Sequence, residues 1–143
     1  MPTTRTSRGG AAHLEESPPA AKLLNRRFLG VDDSGGVAIA FEARPEFTNR
    51  HGTVQGGFLA AMLDSATGFT LLVALPVGQT AVTTRLDTTF VKPASPGALT
   101  AHARILERDE RRCVVEAELR SPEGVVVARA RAELRILPIS PAG

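Results

Sequence analysis

Between Arg50 and Arg85 the chain carries one charged side chain, Asp64. It lies within HGTVQGGFLAAMLDSATGFTLLVALP, where Phe58, Leu59, Met62, Leu63, Ala66, Phe69 and Val73 recur at steps of three and four. That is the period of an α-helix. The helix is apolar around most of its girth, so it is expected to be buried rather than to lie on a wet surface. Gly56-Gly57 open it, and Pro76 and Gly78 stop it. A carboxylate in so apolar an element is costly unless it is paired, hydrogen-bonded or put to use. Asp64 is therefore expected to be buried, and it is the first candidate for chemistry.

The rest of the chain reads as the cover for this helix. Ser17-Pro18-Pro19 predicts a short helix over 18–25, with Ser17 as its cap. Arg27–Val31 predicts a strand, Asp32–Gly36 a turn, and the alternation of Val37, Ile39 and Phe41 a second strand. Residues 42–50 read as a loop broken by Pro45. After Gln79 the period changes to two. Over Ala81–Val91 strict alternation places Val82, Thr84, Leu86, Thr88 and Phe90 on one face, with Thr83, Arg85, Asp87, Thr89 and Val91 on the other. Strands follow over Gly97–Arg108, Arg112–Arg120 and Val125–Ile136, joined by turns at Asp109–Arg111 and Ser121–Gly124. The last strands form an antiparallel meander. Two strands, one apolar helix and four strands make an α+β architecture in which the sheet wraps the helix. The expected organisation is a tail over 1–16, one domain over 17–138, and a short C-terminal tail over 139–143.

Composition narrows the function. There is no Trp or Tyr and only 6 Phe, so stacking on nucleobases has little to work with. The net charge is +2, with basic residues dispersed among acids, which argues against a nucleic-acid surface. The lone Cys113 allows neither an internal disulfide nor a Cys-based zinc site, and it reads as a small core residue or a surface thiol. His13 and His102 lack ligand partners at useful spacing, so no metal is expected. The N-terminus has no apolar h-region, and the 58–75 stretch is interrupted by Asp64, Ser65, Thr67, Gly68 and Thr70. The expectation is a cytoplasmic protein without a membrane span. Neither a Gly-x-Ser-x-Gly elbow nor a phosphate-binding loop or dinucleotide fingerprint is present.

The helix start offers more. Its first N–H groups are unpaired and carry partial positive charge, and glycine lets a ligand approach them closely. Such a site suits a carbonyl oxygen gaining negative charge; close packing or a tight turn is the plainer use of the same glycines. Asp64 lies eight residues past Gly56, roughly 12 Å along the axis. A short side chain does not span that distance. If both act on one substrate, Asp64 comes from a second chain, through two helices running antiparallel across a two-fold axis.

The run Asn49-Arg50-His51-Gly52-Thr53-Val54-Gln55-Gly56-Gly57, followed by Asp64, resembles the hotdog-fold acyl-CoA thioesterases of the PaaI (phenylacetate-pathway thioesterase-like) type, in the 4-hydroxybenzoyl-CoA thioesterase-type superfamily. The segment Thr89–Ala94 is similar to the one that follows the helix in that family, and the resemblance covers roughly residues 25–137. It implies a hotdog fold, an antiparallel sheet around one long central helix. It also implies hydrolysis of an acyl thioester to free acid and CoA. Asp64 then matches the catalytic carboxylate, a nucleophile or a general base on water. Gly56 matches the N–H that polarises the carbonyl, with Gly57 beside it, and Asn49 the side chain that orients thioester or water. Thr83 stands where relatives often place a water-holding hydroxyl, although β-propensity alone also explains a Thr there.

One position departs from the pattern. Gln55 stands where the family usually has His, and Gln positions a ligand without transferring a proton. His51 is displaced from that position and reads as a loop residue. Lys92 and Arg85 are candidates for the CoA phosphates, against a plainer reading as solvated charge. The resemblance implies no metal or redox cofactor, CoA being part of the substrate. The implied partner is a second copy of the chain, as a dimer with shared sites that assembles into a tetramer, and neither nucleic acid nor membrane. Two alternatives stand beside the enzyme: a non-catalytic acyl-CoA-binding hotdog module, and a structural oligomer with no ligand.

Overall fold

The computed structural model describes residues 17–139. The tail expected over 1–16 and residues 140–143 lie outside the described residues. The chain opens with a short helix, α1 (Pro19–Leu23), whose cap is Pro18 and not Ser17, and which makes no side-chain capping hydrogen bond. Strands β1 (Arg27–Val31) and β2 (Val37–Ala43) follow, then a 3₁₀ turn over Pro45–Phe47 and the central helix α2 (Gly56–Ala74). Strands β3 (Gln79–Phe90), β4 (Gly97–Arg108), β5 (Arg112–Arg120) and β6 (Val126–Pro138) complete the domain. The expected elements are all present. Differences fall at ends, as for β6, which runs past Ile136 to Pro138, where β3 supplies partners to the last residue.

The six strands form one antiparallel sheet in the order β1-β2-β4-β5-β6-β3. The three hairpin-linked strands β4, β5 and β6 are the expected meander. β3 crosses over α2 to pair with β6, at the far edge from β1. The helix lies against the inner face and contacts β2 to β6. Every inward residue along β2 (Val37, Ile39, Phe41, Ala43) is buried, as are Leu99, Ala101 and Ala103 opposite them on β4. Met62, Leu63 and Ala66 of α2 press onto this surface with no exposed area. By length and hydropathy α2 could cross a membrane; here it is the core helix of the domain.

The faces of β3 differ from strict alternation. Thr83 pairs with Leu134 and Arg85 with Glu133, so Thr84 is an extra residue in a β-bulge. One inserted residue reverses the side-chain parity. Ala81 and Thr83 therefore join Leu86, Thr88 and Phe90 on the helix side, opposite Ile136, Leu134, Ala132, Ala130 and Ala128. Val82 joins Arg85, Asp87 and Thr89 on the outer side. That outer face carries a charge lattice: Arg104, Glu116, Arg131 and Asp87 lie side by side on four successive strands. One long apolar helix cradled on one face of a coiled antiparallel sheet is the hotdog fold.

Candidate functional site

The helix start is held by a braced loop. Asn49 Oδ1 accepts the N–H groups of His51 at 2.8 Å and Thr53 at 3.2 Å. Its Nδ2 donates to Thr53 Oγ1 at 3.0 Å, and its own N–H donates to the Thr53 carbonyl at 2.8 Å. Gly52 closes this turn at φ +81°, a left-handed conformation that side chains with a Cβ disfavour. Beyond the turn, Val54 N–H donates to the Ala94 carbonyl and Gln55 N–H to the Phe47 carbonyl, at 2.9 and 2.8 Å. Phe47 in turn stacks on Phe58, with ring centroids 4.1 Å apart. The loop is thus fastened on one side to the 3₁₀ turn and on the other to the segment after β3.

Gln55 is the N-cap of α2, yet its side chain makes no capping bond and is exposed. The N–H groups of Gly56 and Gly57 have no acceptor among the described residues. They are open donors at the positive end of a 19-residue helix. A Cβ on Gly57 would meet nothing within 4 Å, whereas one on Gly56 would come within 3.2 Å of the Phe90 ring. Glycine at 56 thus lets the Phe90 ring lie close against the helix start. Phe90 was not singled out from the sequence as a site residue, because only the fold brings the end of β3 onto the start of α2.

Asp64 is not buried within its own chain; it is exposed. This corrects the expectation from the apolar run. The sheet covers the flanks of α2 and leaves a narrow strip open, on which Gly57 and Asp64 are exposed and Ala60, Ala61 and Gly68 are half-buried. The residues there are small, so the strip reads as apolar without being covered. The Asp64 carboxylate has no hydrogen-bond or ion-pair partner among the described residues; only its carbonyl is used, accepting from Thr67 Oγ1 at 3.1 Å.

The remaining candidates separate. Thr83 is turned by the bulge to the helix side of β3 and is exposed. Arg85 lies on the outer face, paired with Asp87 at 3.2 Å, away from α2. Lys92 is exposed two residues past Phe90, near the helix start. His51 is a loop residue held through its backbone, His102 is exposed on the outer face, and His13 lies outside the described residues. Cys113 is buried opposite Leu134, and burial pushes its thiol pKa up, as suits a core residue rather than a nucleophile.

A second feature was not read from the sequence. Arg26, just before β1, lays its guanidinium over the Phe69 ring at 4.4 Å and donates to Ser65 Oγ at 3.1 Å. Phe28 packs on the same ring, with centroids 5.5 Å apart. Burial lowers the Arg26 pKa, and no acid among the described residues stands within ion-pair distance of it. A lone Arg in a loop has no distinctive spacing, so this placement is visible only in three dimensions.

Comparison with known proteins gives this geometry a context. A phenylacetic acid degradation-related protein from Ralstonia eutropha, described as a candidate thioesterase, is 34% identical, with 90% of this chain and 99% of that one covered at a TM-score of 0.82. A Bacillus halodurans protein solved with CoA is 28% identical, covering 89% of this chain and 81% of that one at a TM-score of 0.75. A candidate esterase from Saccharolobus solfataricus is 29% identical over 111 residues, 76% of each chain. The family model of the thioesterase superfamily matches residues 51–128, from the loop before α2 into β6. The open helix start, the carboxylate on the helix and the surrounding sheet all fall in or beside that match, and the chain belongs to the thioesterase superfamily.

Proposed function

We propose that this protein hydrolyses acyl-CoA thioesters to the free acid and CoA, in a dimer whose sites are shared between chains. One observation carries the reading: among the described residues the Asp64 carboxylate has no partner, and it stands on the open strip of the helix whose first two N–H groups likewise have none. Within one chain these groups are roughly 12 Å apart along the axis. Two copies of α2 packed antiparallel on their open strips would bring Asp64 of each beside Gly56 of the other. The exposed β3 edge supports the same assembly. It is a 12-residue strand with one side unpaired, carrying exposed Val82, Phe90 and, just beyond it, Val91. Long apolar edges are normally covered or paired. A tetramer would be built from two such dimers.

The chemistry follows from the groups present. The thioester carbonyl oxygen accepts the Gly56 N–H, with Gly57 beside it, and its developing negative charge is stabilised there. Asp64 either attacks the carbonyl carbon or takes a proton from a water that attacks. The C–S bond then breaks and the CoA thiolate leaves, taking up the proton released by the water. Where Asp64 attacks directly, that water enters afterwards, hydrolysing the acyl–Asp64 anhydride to the free acid and restoring the carboxylate. Asn49 has one Nδ2 hydrogen left after bracing its loop, free to orient the thioester or the water. Thr83 would hold the water from the sheet side, and Gln55 would position the substrate at the helix start. Lys92 is placed for the CoA phosphates; Arg85 would join it only by leaving Asp87. No metal or redox cofactor enters the reaction. That the Bacillus halodurans relative was solved with CoA supports an acyl-CoA substrate.

Gln55 favours one other reading, an acyl-CoA-binding module without turnover, because it cannot relay a proton. Thiol release from a panel of acyl-CoAs separates the two. Turnover by the wild type that Asp64→Asn abolishes, with the fold intact, supports the enzyme. Melting shifts with the ligands but without turnover support the binding module.

A further inference from the structure

Among the described residues only part of the Arg26 guanidinium is engaged. Half-burying a guanidinium is costly, and the one bond to Ser65 and the stacking on Phe69 engage a small part of it. A guanidinium has five N–H donors, and Ser65 takes one. The arginine sits beside the middle of α2, not its C-terminal end, so the helix dipole gives no reason for a cation there. The cation–π contact with Phe69 uses the face of the guanidinium and leaves most of its N–H donors unused among the described residues. What Arg26 does adjoin is Ser65, the residue next to Asp64.

One course open to an acyl group held at Asp64 runs along the half-buried strip of the helix. Towards the C-terminal end from Asp64 the open strip continues over Gly68, with Ser65 at its border, both half-buried. Its flank is walled by Phe69, with Phe28 and Arg26 packed on it. Phe69 itself is buried beneath them, so that flank presents the Phe28 ring and a planar cation whose remaining donors have no acceptor among the described residues. The group that matches a planar cation best is a carboxylate, which accepts two parallel N–H bonds.

Resting on the thioesterase reading above, we propose that Arg26 is a specificity residue that binds a carboxylate at the far end of the acyl group, so that the preferred substrates are mono-thioesters of dicarboxylic acids. Succinyl-, glutaryl- and adipoyl-CoA, set against butyryl-, pentanoyl- and hexanoyl-CoA, test this in the wild type, Arg26→Met and Arg26→Lys. Expected is a kcat/KM for one dicarboxyl thioester about tenfold or more above that of its methyl-ended counterpart, a ratio typical of one charge-assisted contact. Arg26→Met should abolish this ratio, chiefly through KM, and Arg26→Lys should restore part of it. A wild type that favours the methyl-ended series, or a ratio unchanged in Arg26→Met, would overturn the proposal. Melting shifts with the same six thioesters provide a second readout. If no thioester is hydrolysed, the thioesterase reading fails; a larger shift with the dicarboxyl series, lost in Arg26→Met, would still support Arg26 as the carboxylate reader. Equal shifts in the two series would overturn it.

Discussion

Gly56 shows how one residue can answer two demands. Its N–H is an open donor, and its missing Cβ makes room for the Phe90 ring. A Cβ at 56 would press on the Phe90 ring, which is exposed and can give by a few tenths of an ångström, so Gly56→Ala should stay within about 1 kcal/mol of wild type in urea melts. Asp64→Asn should leave the fold intact in the melt, because within its own chain the carboxylate is exposed and has no partner among the described residues. Its kcat should fall by about 10²-fold to 10⁴-fold in thiol release, the span assigned to a positioned base. Asp64, Asn49 and Gly56 are candidates from the sequence, because spacing and residue type mark them. Phe90 and Arg26 are not, because their significance lies in which neighbours the fold gives them.

At the scale of elements, the central helix and the four late strands follow from periodicity, while the bulge at Thr84 does not. The run Thr83-Thr84-Arg85 has no glycine or proline to flag a bulge, and alternation read straight through it assigns Thr83 to the wrong face. The register against β6, where Leu134 has to face the core, decides the parity. Helix packing is equally specific: Met62 has no exposed area, and Met62→Ala should cost about 2–5 kcal/mol in denaturant melts.

The turn between β1 and β2 gives a pH prediction. The Ser34 hydroxyl, then the N–H groups of Gly36 and Ser34, hold the Asp32 carboxyl below its usual range. A depressed folded pKa means that the stabilisation is complete above the unfolded value and is lost as pH falls through the folded one. Asp32→Ala should thus melt below wild type at neutral pH, and the gap should close as pH falls through the acid range in thermal melts.

For the whole molecule, the open strip of α2 and the unpaired edge of β3 both face outward from a single chain. Light scattering should find a dimer or a multiple of it, and specific activity should fall as dilution drives the chains apart. An active monomer would refute the shared site. The sequence by itself determined the local structure, because helical and strand periods, turns and the spacing of Asn49, Gly56 and Asp64 are properties of neighbouring residues. It also marked Asp64 as a charge out of place. Only the tertiary structure decided that this charge is exposed on an uncovered strip, that β3 pairs with β6, and that Arg26 and Phe90 flank the helix. Those facts depend on contacts between residues far apart in the chain. An apolar run states that a helix must be covered, and only packing decides which of its faces the chain covers itself.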